Sequence, residues 1–243
     1  MVTGGTRGIG FAIAERLLAE GARVAFCGTR QTSVDGAVKA LASGVFGFVA
    51  DISKPADVKR FIAAVRKRFG TIHILINNAG LATFGSAASL SPGEWGRMIG
   101  VNLSGAYYCC HEVLPIFIAE GGGDVINISS LAGKNAFAGG AGYNASKFGL
   151  NGFSEAAMLD HRNDGVRVST IMPGSVDTGF SSGPDSGTAW KIAPADVAEV
   201  VVTLLTMPRR TTVSSVEIRP SRPAPAKRKP AQKQEGTSDD KPV

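Results

Sequence analysis

A doubly wound α/β fold built on a parallel sheet is the architecture this sequence predicts. Three observations predict it. Its strands are short and apolar throughout, helical stripes separate them, and a glycine-rich turn joins the first strand to the first helix. Strands that are apolar on both faces need helices on both sides. Regular alternation of strand and helix supplies the crossovers of a parallel sheet.

The elements follow in order. Met1 and Val2 are a strand stub, and T-G-G-T-R-G-I-G runs from Thr3 to Gly10 behind it. Ile13, Ala14, Leu17 and Leu18 form the apolar stripe of the first helix, which Gly21 closes. V-A-F-C from Val24 is a buried strand, Ser33 to Ser43 a weaker helix, and V-F-G-F-V-A from Val45 the next strand. Lys54 to Phe69 is helical, with Ser53 as its cap and Pro55 near its start. I-H-I-L-I from Ile72 is a strand that ends in N-N-A-G. Ser91-Pro92-Gly93-Glu94 is a capping box opening a long helix to about Ala119, bent at Pro115. Val125 to Ser129 is a strand and Tyr143 to His161 a helix. V-R-V-S-T-I-M from Val166, a helix from Pro194 to Met207, and V-S-S-V-E-I complete about seven strands in one domain, residues 1–218.

Composition bounds the function. The chain has 243 residues, 44% of them hydrophobic and 19% charged, enough for a sizeable core. No apolar run reaches the length of a membrane span, and the N-terminus has no signal-type apolar region. Cys27, Cys109 and Cys110 lack metal-ligand spacing, so a reduced, cytoplasmic setting without a bound metal is expected. His73, His111 and His161 match no catalytic position. From Arg219 onward five prolines and no aromatics predict a disordered basic tail, residues 219–243. Without aromatic platforms its K-R-K run, Lys227 to Lys229, is a solvated segment rather than a nucleic-acid site. Gly179 to Lys191, rich in Gly and Ser and carrying Trp190, reads equally as a lid or an ordinary surface loop.

The chemistry concentrates between Ser130 and Lys147. Tyr143 and Lys147 are four residues apart, so on a helix both side chains leave one face. A nearby ammonium favours the phenolate, which would bring Tyr143 into range for proton transfer. Ser130, thirteen residues upstream, ends an apolar run at the sheet edge where ligands of such folds bind. In the first turn, Gly4, Gly8 and Gly10 let the backbone approach a pyrophosphate at a helix N-terminus. The second strand ends in C-G-T-R, with Gly28 where an acid would bind the ribose hydroxyl of NAD. Arg30 follows and Arg7 lies in the glycine turn, and guanidinium groups suit a 2′-phosphate. NADP(H) is therefore the preferred cofactor and NAD(H) the alternative.

The chain resembles the short-chain dehydrogenase/reductase family. T-G-x-x-x-G-x-G, N-N-A-G, a serine, Y-x-x-x-K and P-G occur in family order and spacing across Met1 to Pro220. The resemblance implies a Rossmann-type domain and NAD(P)-dependent hydride transfer between the cofactor and a carbonyl or alcohol. It implies that Tyr143 is the acid/base, Ser130 polarises the carbonyl, and Lys147 binds the nicotinamide ribose. Asn102, forty-one residues before Tyr143, would support a water-linked proton relay. It also implies cofactor contacts from Thr3, Gly4, Gly5, Thr6, Arg7, Gly8, Ile9 and Gly10. Asp51 and Ile52 would lie at the adenine, and Asn78, Ala79 and Gly80 beside the adenosine ribose. Pro173, Gly174, Val176 and Thr178 would lie at the nicotinamide and diphosphate. A homo-oligomer, dimer or tetramer, built on the helices after Ser91 and Tyr143 is implied as well. Two departures stand out. Relatives have several more residues of first strand, so the N-terminal strand reads as truncated. Their glycine-rich ending is replaced here by V-E-I-R-P-S-R-P. The likeness to 3-oxoacyl-carrier-protein reductases is generic and names no substrate beyond a small or medium carbonyl, bordered by Lys134, Asn135 and Phe137. A regulatory protein of the same fold that binds the cofactor with little turnover is the alternative function.

Overall fold

The computed structural model describes residues 1–41, 44–178 and 189–222. Most of the expected lid (179–188) and the tail beyond residue 222 lie outside the described residues. Seven strands are β1 (Val2–Thr3), β2 (Val24–Gly28), β3 (Val45–Val49), β4 (Ile74–Asn77), β5 (Gly123–Ile128), β6 (Val166–Pro173) and β7 (Ser215–Ile218). The α-helices are α1 (Gly8–Ala19), α2 (Gln31–Ala40), α3 (Pro55–Phe69), α4 (Pro92–Ile99), α5 (Gly105–Ala119), α6 (Ala141–His161) and α7 (Pro194–Thr206). All strand pairings are parallel, in the order β3-β2-β1-β4-β5-β6-β7. Strand order reverses at β1 and β4, and the carboxyl ends there frame a crevice.

Residue alternation divides the core. Val2, Phe26, Ile76 and Ile126 meet Ile13 of α1, Val34 of α2 and Val201 of α7 on one face. Cys27, Leu75, Val125 and Val168 meet Phe61 of α3, Val113 of α5 and Ala157 of α6 on the other. Successive strand residues point to opposite faces, and each large side chain so buried is worth about 1.5–3 kcal/mol. Burial pushes the Cys27 and Cys110 thiols up to about 12, so both act as small apolar groups. Among the described residues no helix is long and apolar enough to cross a membrane.

The two-residue β1 lies inside the sheet, between β2 and β4. Val2 pairs with Phe26 on one side and Ile76 on the other. The Met1 amine donates to the Ile74 carbonyl at 2.8 Å, and burial lowers its pKa to about 5. Helix ends follow local chemistry. Gly21, at φ +81°, stops α1: its N–H reaches Leu18 O, and that of Ala22 reaches Leu17 O. The Ser91 box forms, with Glu94 N–H donating to Ser91 Oγ and Ser91 N–H donating to the Glu94 carboxylate.

Two expectations need correction. Ser53 does not cap α3; its hydroxyl donates to Asp51 Oδ1 at 2.7 Å, and Lys54 precedes the helix without a side-chain capping bond. The long helix after Ser91 is interrupted by a π turn, Gly100–Ser104, because Asn102 turns inward there to bond the chain after β4.

Away from the crevice, Arg167 of β6 faces Asp124 of β5 in register and is 6% exposed. Its guanidinium donates to Asp124 at 2.6 Å and to the carbonyls of Leu205 and Met207 at 3.1 and 2.9 Å. One buried side chain thus pins the α7–β7 connection to the sheet. Arg167→Met leaves Asp124 with Arg209 alone, at 2.8 Å, and strands these carbonyls, and should cost about 1–3 kcal/mol in denaturant unfolding. A loss below about 1 kcal/mol, the worth of a surface pair, would show the network to be dispensable.

Candidate active site

The crevice is a cleft of about 1240 Å³ along the carboxyl edge of the sheet, larger than a pocket for one drug-sized molecule. Its floor is two interlocked loops. Thr3 Oγ1 accepts from the N–H groups of Asn78 and Ala79, both at 3.0 Å. The Asn78 side chain donates back to the carbonyls of Thr3 and Gly4 at 3.0 and 3.1 Å. The approach demands glycine: a Cβ on Gly4, at φ +67°, would lie 2.8 Å from Ala79 Cα, and one on Gly10 would lie 2.3 Å from Gly4 O. Arg7 precedes α1 and its side chain does not cap the first N–H groups of that helix, which lie beside the cleft.

The candidate catalytic residues converge. Ser130 opens a short 3-10 turn, its Oγ accepting from Ala132 N–H at 3.1 Å, and its hydroxyl hydrogen-bonds the Tyr143 phenol. Both line the cleft. Lys147 follows one turn along α6, buried, with Nζ donating to Ile128 O at 3.0 Å and lying 5.9 Å from the Tyr143 ring centroid. Asn102 is buried behind them. Its amide accepts from Leu81 N–H and donates to Leu81 O, both at 2.8 Å, and donates to Ser146 Oγ at 3.0 Å.

The electrostatics correct one expectation. The Tyr143 phenol stands above its ordinary value because burial outweighs the Ser130 hydrogen bond that lowers it. Burial also lowers the Lys147 ammonium to about 8. The amine donates to the Ile128 carbonyl, and desolvation is the largest influence on the phenol. At neutral pH Tyr143 therefore holds its proton.

The expected cofactor contacts fall in two shells. From the first turn, Gly4, Thr6, Arg7, Gly8 and Ile9 line the cleft, whereas Thr3, Gly5 and Gly10 are buried behind it. Gly28, Asp51 and Ile52 line it at the ends of β2 and β3, and Asn78, Ala79 and Gly80 after β4. Pro173, Gly174, Val176 and Thr178 line it after β6. Arg30 is exposed at the start of α2, outside the wall. Of the residues expected around the substrate, Asn135 and Phe137 line the cleft; Lys134 turns away to pair with Glu217 at 2.5 Å.

The family model described as short chain dehydrogenase matches residues 1–186. The chain belongs to the short-chain dehydrogenase family. It is 31% identical over 224 residues to an uncharacterized oxidoreductase of Staphylococcus saprophyticus, covering 90% of this chain and 96% of that one. Among solved structures, a metagenomic short-chain oxidoreductase in complex with NADP aligns at TM-score 0.78 and 36% identity, covering 91% of this chain and 96% of the other. An alcohol dehydrogenase from Thermococcus sibiricus, complexed with 5-hydroxy-NADP, aligns at TM-score 0.83 and 28% identity, covering 93% and 97%. This chain is an oxidoreductase of that family.

The dehydrogenase site also depends on residues the sequence did not single out. Asn144, inside Y-x-x-x-K, donates to Ala132 O at 2.7 Å and fixes the turn that carries Ser130. Ser146 donates to Tyr143 O at 2.8 Å while accepting from Asn102. Below them Asn77 of β4 donates to Asn127 of β5, which donates to Ser154 of α6. The signal was a polar residue inside each apolar strand, I-L-I-N and V-I-N-I. Ser129, weighed against Ser130 as the catalytic serine, lines the cleft with a buried hydroxyl that has no hydrogen-bond partner among the described residues. Arg219, Pro220, Ser221 and Arg222, the start of the expected tail, also line the cleft.

Proposed function

We propose that this dehydrogenase binds NADP(H) and interconverts a carbonyl compound and its alcohol, with Tyr143 giving or taking the proton. The observation that carries the reading is the Tyr143 phenol, hydrogen-bonded to Ser130 on the wall of a cleft into which the uncapped start of α1 opens. The site fits a dinucleotide. The glycines leave room for a pyrophosphate beside the α1 N–H groups, and the Ser129 hydroxyl on the cleft wall lacks a partner among the described residues. When bound, the nicotinamide supplies or accepts the hydride.

The chain's own residues do the rest. Tyr143 presents a protonated phenol, and Ser130 donates beside it, so both stabilise negative charge at a substrate oxygen. Lys147, behind the cleft wall, donates to Ile128 O, and we assign it the binding of a ribose hydroxyl. Asn102 fixes Leu81 and, through Ser146, the first turn of α6; we assign it a positioning role and a place in the proton relay.

The 2′-phosphate preference rests on Arg7 and Arg30, which form no ion pair among the described residues. It also rests on Thr6, whose methyl lies 2.5 Å from a Cβ built on Gly28, the place an acid would occupy. The bound NADP of the metagenomic relative agrees with it. Cofactor oxidation with a panel of ketones and aldehydes tests the whole reading. kcat/KM should favour NADPH over NADH, and Arg7→Ala with Arg30→Ala should lower it for NADPH by roughly tenfold or more, one charged hydrogen bond's worth, with NADH little affected. A clear NADH preference would sink the cofactor assignment.

An oligomer belongs to this reading. Trp95 of α4, Tyr107 of α5, and Phe148 and Leu159 of α6 leave large apolar surface exposed on neighbouring helices.

A further inference from the structure

We infer that the substrate carries an aromatic ring beside its carbonyl, received by Phe84 and Phe137 next to Tyr143. The inference rests on the reading of Tyr143 as the proton donor and adds the class of substrate. Phe84 is 52% exposed and Phe137 46% exposed, although both line the cleft. Their ring centroids are 5.9 Å apart, and Phe84 stands edge-on to the Tyr143 ring at 6.0 Å and 79°. Three aromatic rings therefore border the place where the phenol meets a substrate oxygen. Such rings gain from edge and offset contacts with a further ring, which an aliphatic chain does not provide.

The two phenylalanines are held rather than loose. Gly85 N–H donates to Gly139 O at 2.7 Å, and Gly85 bridges Gly140, so the loops bearing the rings are bound together. Asn102 fixes the base of the Phe84 loop through both backbone groups of Leu81. Asn144, next to Tyr143, accepts from Phe137 N–H at 3.5 Å. The same asparagines thus set both the ring pair and the Ser130–Tyr143 pair, which fixes the distance between an aryl group and a reacting oxygen. Asp51, at the end of β3, is the sole carboxylate lining the cleft among the described residues, and no acid accompanies the rings. Trp190, also lining the cleft, adds a fourth aromatic surface.

The test uses the full chain saturated with NADP+ and unreactive amides as probes, read by calorimetry. Benzamide should bind at least tenfold tighter than propanamide. Phe84→Ala and Phe137→Ala should each erase most of that ratio, and Phe84→Tyr should restore it. Cofactor affinity, measured in the same titrations, reports whether a variant has kept its fold. Equal affinity for the two amides, or a ratio that survives in Phe84→Ala with cofactor binding intact, overturns the inference. Ketone reduction by the unaltered enzyme is measured separately: absence of turnover counts against the proposed reaction, while the amide ratio alone decides the ring site.

Discussion

Tyr143→Phe should lower kcat about 10²–10⁴-fold, the range in which a positioned acid or base contributes, while the dinucleotide Kd stays close to that of the parent. The change removes one hydroxyl and keeps the ring that packs against Phe84. It leaves the Ser130 turn, held by Ala132 N–H, in place. Fold and cleft are thus preserved while the hydroxyl proposed to give the substrate oxygen its proton is gone. Equal falls in kcat and kcat/KM would mark an interaction made in the transition state. Unchanged kcat would refute the role. A pH series adds direction. Reduction needs the phenol protonated, which its raised pKa secures at neutral pH. Lys147, lowered to about 8 by burial, loses its proton first as pH rises. If its charge holds a ribose, kcat/KM for reduction should therefore fall above about pH 8. A flat profile to pH 10 would separate Lys147 from that task.

Gly10→Ala should weaken dinucleotide binding by tenfold or more and lower stability by about 1–3 kcal/mol, the usual cost of overpacking. The added methyl would stand 2.3 Å from Gly4 O and 2.4 Å from Asn78 Nδ2. Neither can move alone, because Asn78 clamps the carbonyls of Thr3 and Gly4. Relief must push the first turn out of the cleft floor. Gly36→Ala is the matched control: it lies in α2, a Cβ there meets nothing within 4 Å, and it should stabilise by about 0.5–1 kcal/mol through helix propensity. Thermal melts and cofactor titration of both variants separate local crowding from a general effect of losing glycine.

Much of this was legible in the sequence because it rests on local chemistry. Apolar strands fixed the layers, Gly21 the end of α1, and Ser91 with Glu94 the start of α4. The spacing of Tyr143 and Lys147 put both on one face of α6. What stayed hidden depends on neighbours far along the chain. The π turn at Asn102 exists because its amide pairs with Leu81, twenty-one residues away. Arg167 looked like any strand charge until Asp124 and three chain carbonyls closed around it. The phenol's upward shift could not be read from a nearby lysine, since both groups are buried and desolvation acts on each.

The sequence by itself determined the alternation of elements, the glycines at the turn, and the order of the serine, tyrosine and lysine. Those are set by backbone propensity and by spacing of a few residues. The tertiary structure alone decided which groups face the cleft, that Asn102 and Lys147 stand behind it, and that Phe84 joins Phe137 beside the phenol. Burial and long-range hydrogen bonds are properties of surfaces brought together, and no single stretch of chain contains them.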